Sequence, residues 1–258
     1  MKKKPVKTNV NPRLITEDAP FEYVEAYKAL RTNFNFITGN KQNRKIVVTS
    51  SIRDEGKSSL AINLSISLAQ AGDKVLLIDA DLRNPSLHRY LQMAKDGEKG
   101  LSNLLSGNVK VGECLLKTKY GFDVITGGTI PPNPAELIAS EAMRDLLNVA
   151  AQHYDYIICD APPVGIITDA AALSPLCDGV LYVIRQNYAN KNQIRDAIRN
   201  LQTVKAKLLG TVMTQYVIPK ESARRYRYRN YGYRYRYGYG YGYGYGYGYR
   251  YEQEDGAE

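Results

Sequence analysis

At 258 residues, 44% hydrophobic and 24% charged, the chain is long enough to enclose a substantial core and suits one α/β domain. No apolar run approaches the roughly 20 residues that span a bilayer, and the basic start MKKKPVKTNVNP has no apolar stretch behind it, so neither a spanning helix nor a secretory leader is expected. The net charge of +9 sits at the ends: Lys2, Lys3, Lys4 and Lys7 carry +4 and the residues from Lys220 onward carry +3, leaving only +2 for everything between them.

Residues 1–20 read as an extended segment, punctuated by Pro5, Pro12 and Pro20. FEYVEAYKALRTNFNFI, from Phe21 to Ile37, has apolar residues at helical spacing, with Glu25, Lys28 and Arg31 three residues apart along one side. Next comes KIVVTSSIRDEGKSSLAINLSISLAQ, from Lys45 to Gln70: a buried-type strand, a tight loop, and a helix expected to run to Ala71 and stop at Gly72. A loop between a strand and a helix N-terminus aims unpaired backbone N–H groups and the positive end of the helix dipole at one point, which favours an anion. Ser51, Asp54, Glu55, Gly56, Lys57, Ser58 and Ser59 make up this predicted phosphate cradle. In it Gly56 permits close backbone approach, Lys57 reaches terminal phosphates, and the Ser58 hydroxyl suits Mg²⁺. Ser51 stands where the usual GxxxxGK pattern has its first glycine, so the strand before and the helix after carry the assignment.

KVLLIDADLRNP then gives a short, continuously apolar strand ending in Asp79 and Asp81, as expected for a central parallel strand covered on both faces. In open α/β sheets ligands sit beyond the carboxyl ends of the strands, which points both carboxylates at the phosphate loop. A turn or helix cap would explain the pair equally well if it stood alone. Leu87 to Asn133 reads as short helical pieces, a strand over Phe122–Thr126 and the loop GGTIPPNP. Pro134 and Glu136 open one continuous helix through ELIASEAMRDLLNVAAQHY. A second apolar strand, Tyr156 to Cys159, ends in Asp160, where chains with a phosphate loop usually keep the carboxylate that holds Mg²⁺. TDAAALSP suggests a helix, Gly179–Ile184 a strand, Asn190 to about Val204 an amphipathic helix, and KLLGTVMTQ the last strand. Alternation of this kind calls for a doubly wound, mostly parallel sheet flanked by helices, as in P-loop NTPases. Cys114, Cys159 and Cys177 lack metal-type spacing, and with only His88 and His153 a histidine-based metal site is not expected.

Past Pro219 the composition changes. Thirteen of the 22 tyrosines (Tyr226, Tyr228, Tyr231, Tyr233, Tyr235, Tyr237, Tyr239, Tyr241, Tyr243, Tyr245, Tyr247, Tyr249 and Tyr251) alternate with Arg or Gly in a stretch with almost no aliphatic side chain. Such a repeat buries too little apolar surface to offset chain entropy, so 220–258 is read as a disordered tail after a domain spanning 21–219.

The phosphate loop, VLLIDADLR, IICDAPP, TGGTIPPNPAELI and the tyrosine-rich tail together resemble the bacterial tyrosine kinases of capsular and exopolysaccharide synthesis, over nearly the whole chain from EAYKALRTN onward. The resemblance implies an ATP- and Mg²⁺-dependent protein-tyrosine kinase that phosphorylates its own tail tyrosines between subunits and so regulates polysaccharide export. It implies that Lys57 and Ser58 bind phosphates and Mg²⁺, that Asp81 and Asp160 hold the metal, and that Asp79 is the base toward the tyrosine hydroxyl, giving Asp79, Lys57 and Asp81 catalytic roles. Glu25, Lys28 and Arg31 match the family's ring-forming ExxRxxR motif, with Lys28 in place of its first arginine. Lysine lacks arginine's planar fork. Further implications are a homo-oligomeric ring, a membrane polysaccharide co-polymerase whose cytoplasmic tail completes the nucleotide site, an opposing protein-tyrosine phosphatase, and a cytoplasmic protein held at the membrane through its activator. The family usually carries Pro-Gly where this chain has Arg53-Asp54, and the Asp54 charge is expected to weaken unassisted ATP binding.

Two alternatives rank lower. A partition or positioning ATPase of the same superfamily would carry the signature lysine of KGGxGK, whose place is taken by Ile52, and has no use for a tyrosine repeat. A tail that binds RNA or another anionic polymer through interleaved Arg and aromatic residues ranks last, and nucleic acid is not the expected partner.

Overall fold

The computed structural model describes residues 14–38, 44–93 and 99–217. The first 13 residues and the thirteen tail tyrosines lie outside the described residues. In chain order the elements are helix α1 (Phe21–Thr38), strand β1 (Arg44–Ser50), α2 (Lys57–Ala69), β2 (Val75–Asp79), α3 (Leu87–Tyr90), α4 (Leu101–Leu105), α5 (Val111–Cys114), β3 (Leu115–Lys117), β4 (Asp123–Ile125), α6 (Pro134–Ile138), α7 (Glu141–Ala150), β5 (Tyr156–Asp160), α8 (Asp169–Leu173), a 3₁₀ turn (Ser174–Leu176), β6 (Gly179–Arg185), α9 (Lys191–Thr203) and β7 (Leu208–Thr214).

The strands form one seven-stranded sheet in the order β3-β4-β2-β5-β1-β6-β7, parallel throughout except for β3 against β4. The period of two along each strand divides the core. Val47, Leu76, Ile78, Ile157 and Cys159 face the layer made by α4 to α9. Ile46, Val48, Val75, Leu77, Tyr156 and Ile158 face α1, α2 and α3. Both faces are therefore covered, which is why β2 and β5 are buried along their whole length and read as unbroken apolar runs. Pairing of β5 with both β1 and β2 sets Asp160 opposite Val48 on one side and Asp79 on the other. Two carboxylates that are 81 residues apart in the sequence thus become cross-strand neighbours one strand away from the phosphate loop.

Three expectations change. The helix expected from Pro134 through the AAQHY segment is two helices, because Ser140 takes an extended conformation and its Oγ accepts from the backbone N–H of Met143 while donating to the Leu137 carbonyl. A serine that satisfies both helix ends at once is better placed as a cap than as a helix-interior residue. The stretch 115–117, within the expected helical pieces, is the antiparallel edge strand β3, whose three residues are too few to show a period. The helix after the phosphate loop ends at Ala69, two residues short of the expected Ala71, and Gly72 follows with φ 95°.

Candidate active site

The phosphate loop closes at Gly56, whose φ of 88° is open to glycine and strained for other residues. Helix α2 starts on the next residue, so its first-turn N–H groups, which have no partner within a helix, open toward the loop. The side chain of Glu55 is fully buried and turned away from that concavity: Oε2 accepts from the Ile52 N–H at 2.8 Å and Oε1 from the Arg185 N–H at 3.3 Å. Thr214 at the end of β7 donates to the Glu55 carbonyl at 2.6 Å, and Arg185 Nη1 donates to the Asp54 carbonyl at 3.2 Å. The Ser51 hydroxyl is buried against the Tyr182 hydroxyl at 2.7 Å. Ser51 and Glu55 therefore contribute backbone and shape to the predicted cradle, while their side chains fasten it to β6. The exposed Asp54 sits at φ 63°, a left-handed conformation better suited to glycine.

On the other side of the loop, Lys57 Nζ lies 3.3 Å from Ser58 Oγ, 3.3 Å from Asp81 Oδ2 and 3.6 Å from Asp160 Oδ1. One ammonium nitrogen thus stands among all three residues predicted to hold Mg²⁺. The fully buried Asp160 carboxylate faces only Lys57 and the Ser58 hydroxyl, and neither meets its oxygens at full hydrogen-bond geometry. Burial pushes the Asp160 carboxyl above its ordinary pKa despite the attraction of Lys57. Burial likewise opposes the Lys57 charge, but Asp160, Asp81 and Asp79 outweigh it and hold the ammonium above the ordinary lysine value. Ser58, Asp81 and Asp160 offer an all-oxygen donor set of the kind Mg²⁺ takes, and the Asp160 oxygens, which Lys57 approaches no closer than 3.6 Å and which lack a well-formed hydrogen bond, keep acceptor capacity for a cation, so the residues fit the ion. Among the described residues no group of three or more His, Cys, Asp or Glu is arranged as a metal cage. Mg²⁺ carried on nucleotide phosphates needs only one or two carboxylates.

Asp79 is divided between two tasks. Its Oδ2 accepts from the backbone N–H groups of Ser86 at 2.8 Å and Leu87 at 3.0 Å, capping α3, whereas Oδ1 is buried with no hydrogen-bond partner. Burial and then the Asp160 charge push this carboxyl up to about 7. Ser59 is half-buried in the first turn of α2, its carbonyl accepting from Asn63 Nδ2 at 2.9 Å.

The trio sits on α1, which packs along α2. Lys28 pairs with Glu25 at 2.8 Å, and Arg31 donates to the Ser67 carbonyl of α2, so within one chain Arg31 is already engaged. Helix α1 is further fixed by the fully buried Asn63, which donates to Tyr23 and Tyr27 and accepts from the Ile15 N–H. Sequence reasoning missed the loop's braces, Tyr182, Arg185 and Thr214, because nothing in an apolar strand's composition tells which residue will lie beside which loop. It also missed Asp169: the Asp169 carboxylate, fully buried at the start of α8, holds Arg83 through Nε at 2.8 Å and Nη2 at 3.1 Å. An aspartate opening a helix reads from sequence as a cap.

A family model described as an AAA domain matches residues 44–213, from β1 to β7. The chain is 38% identical over 203 residues to the tyrosine-protein kinase YwqD of Bacillus subtilis, covering 78% of this chain and 85% of that one. It is 31% identical over 221 residues to the putative tyrosine-protein kinase CapB of Staphylococcus aureus, covering 85% and 96%. Among solved structures, the kinase domain of the Escherichia coli tyrosine kinase Etk superposes with a TM-score of 0.70 at 32% identity, covering 83% of this chain and 88% of that domain. With the phosphate loop, its three strand-end carboxylates and these relatives in hand, the chain belongs to the bacterial tyrosine kinases and is a protein-tyrosine kinase.

Proposed function

We propose that the protein transfers the γ-phosphoryl group of ATP to the tyrosines of its own C-terminal tail, from one copy to another, and thereby regulates the synthesis and export of a capsular or extracellular polysaccharide. The observation that carries this reading is the Lys57 ammonium standing within 3.6 Å of Ser58, Asp81 and Asp160 beside an open helix N-terminus. That arrangement suits a triphosphate with its Mg²⁺, and the thirteen tail tyrosines supply acceptors. Bound Mg²⁺ would neutralise phosphate charge, held by Ser58, Asp81 and Asp160. Loop N–H groups and Lys57 orient the phosphates, and Asp79 Oδ1 takes the phenolic proton as the tyrosine oxygen bonds to the γ-phosphorus and the bridge to ADP breaks. A phenol of pKa near 10 needs such a base at neutral pH.

Among the described residues no helix is long and apolar enough to cross a membrane, so this reading gives the membrane end of the task to a partner, a polysaccharide co-polymerase whose cytoplasmic tail completes the nucleotide site. Glu25, Lys28 and Arg31 serve the contact between copies in a ring, and a protein-tyrosine phosphatase resets the tail.

The experiment mixes two chains, each blind to one half of the reaction: Lys57→Met with an intact tail, and wild type truncated after residue 219, with activator peptide and radiolabelled ATP. Label is expected on the tail of the Lys57→Met chain. If the Lys57→Met tail stays unlabelled while intact wild type, assayed alone, labels itself, transfer between copies is wrong, and ATP hydrolysis without any phosphotyrosine would overturn the whole reading.

A further inference from the structure

Arg83 is a charged group just beyond β2 to which phosphate binding gives no role. It projects from a turn clasped onto Asp81, whose carbonyl and Oδ1 both accept from the Asn84 N–H, at 3.2 and 3.1 Å. Its Nε and Nη2 are gripped in a two-point contact by Asp169, whose side chain is 0% exposed, while the Arg83 side chain as a whole remains 42% exposed. Nη1 has no acceptor among the described residues. A purely structural tie gains little from burying a carboxylate, since a well-packed apolar pair of the same volume holds two elements as firmly. What the buried carboxylate does provide is orientation: a planar cation locked along one edge and open along the other, the fork geometry by which arginine reads phosphate.

The tail determines which anion that open edge meets. From Arg224 to Tyr251 the sequence contains seven arginines and no Asp or Glu. A fixed guanidinium therefore repels the unmodified repeat. Each phosphorylation adds about −1.5 to −2 charge and strong acceptor oxygens to a tyrosine, which reverses the sign of the interaction.

We propose that Arg83, oriented by Asp169, is a phosphotyrosine-recognition point on the acceptor side of the site, which captures a partly phosphorylated tail so that later transfers depend on the first. Here Arg83 binds the modified substrate and Asp169 is a positioning residue. The proposal rests on the tail being the acceptor.

The test is anisotropy of fluorescent peptides spanning 224–251, unmodified or phosphorylated on Tyr237 alone, binding to the dephosphorylated full-length chain without ATP. A third peptide, unmodified but extended through the acidic residues 252–258, asks whether carboxylates alone suffice. The wild type is expected to bind the phosphopeptide about tenfold more tightly than either of the others, the 1.4 kcal/mol scale of one charge-assisted hydrogen bond. Arg83→Ala should erase the difference, Arg83→Lys should keep a fraction of it, and Asp169→Asn should reduce it while the affinity for a fluorescent ADP analogue is unchanged. The lysine variant preserves the test if the alanine variant does not fold. Equal wild-type affinity for the three peptides, a preference that survives both Arg83 substitutions, or equal binding of the acidic unmodified peptide would each overturn the proposal. Because binding is measured without transfer, a wild type that fails to label its tail defeats the proposed function and leaves this result to be read separately.

Discussion

The two flanks of the phosphate loop are built on opposite principles. Toward β6 and β7 the polar groups that brace the loop are matched: the Glu55 carboxylate takes two backbone N–H groups, Thr214 and Arg185 bond the loop carbonyls, and Ser51 is paired with Tyr182. Toward β5 and β2 the accounts do not balance, for Asp79 Oδ1 and both Asp160 oxygens lack a well-formed hydrogen bond and a single lysine answers three carboxylates. Buried polar groups are normally satisfied, and the exceptions gather where a ligand completes them. The difference teaches that one flank holds the loop in shape whether or not a nucleotide is present, while the other is left short of positive charge by design of its strand order. Substitutions on the two flanks should therefore fail in different ways.

The largest effect is expected on the unbalanced flank. Asp79→Asn removes the proposed base and should lower kcat by roughly 10²- to 10⁴-fold, with melting temperature changed far less. Its pH signature has two opposite signs. The folded carboxyl titrates near 7 because burial and Asp160 disfavour its charge, against about 3.9 when unfolded. Between those values the folded state holds the proton that the unfolded state has released, so Asp79 makes stability fall as pH rises from about 4 to 7 and level off above. Over the same range kcat/KM should climb as the base becomes free. The check is a pair of profiles, kcat/KM and thermal midpoint, for wild type and Asp79→Asn from pH 5 to 9. A wild-type rate with no ascending limb near 7, or a limb that persists in the variant, would remove Asp79 from the role of base.

The balanced flank should break in stability first. Glu55→Ala leaves the Ile52 and Arg185 N–H groups without their acceptor in a fully buried place, at a cost of about 2 kcal/mol and a fall in melting temperature of about 6 °C for a domain of this size. Nucleotide affinity should decline with it, since the loop loses its brace, and saturating nucleotide should restore most of kcat. A Glu55→Ala protein as stable as wild type but inactive at saturation would show that this carboxylate works on the ligand and not on the loop.

Legibility in the sequence divides along the same line. The unbalanced flank was readable because its chemistry lies at strand ends: Asp79 and Asp160 each close an apolar run, Asp81 follows Asp79 by two residues, and Gly56-Lys57-Ser58 opens a helix, so local pattern alone assembles the site once the sheet is parallel. The balanced flank was not readable. Glu55 looks like one more polar loop residue, and its partners arrive from β6 and β7 up to 159 positions away; register between strands decides them, and no local period encodes register. The same holds for Arg83 and Asp169, 86 positions apart. Asn63 illustrates a third case: an asparagine inside an apolar helix signals a buried polar hub, but only the fold shows that its partners are Tyr23, Tyr27 and the Ile15 backbone. Ser140 lost to local chemistry, because a good cap interrupted a period that otherwise ran on.

The smallest expected effect lies between the flanks, at Asp54. The sequence suggested that its negative charge would weaken nucleotide binding, and the structure adds a second cost, a left-handed backbone at φ 63° with the side chain exposed. Glycine adopts that conformation freely, whereas an L-residue loses about 1 kcal/mol there, less for aspartate, which can bond locally. Asp54→Gly thus removes strain and charge together and should raise the melting temperature by at most about 3 °C while tightening ATP binding severalfold. Asp54→Asn separates the two contributions, since it removes the charge and keeps a residue that tolerates φ > 0. If calorimetry finds that Asn reproduces the glycine affinity, charge is the cause. If only glycine tightens binding, backbone strain is, and if neither does, the Asp54 carboxylate points into solvent and the loop's departure from its family is neutral for nucleotide. The Arg185 contact to the Asp54 carbonyl is unchanged in every variant, so the balanced flank stays intact while its neighbour is tuned.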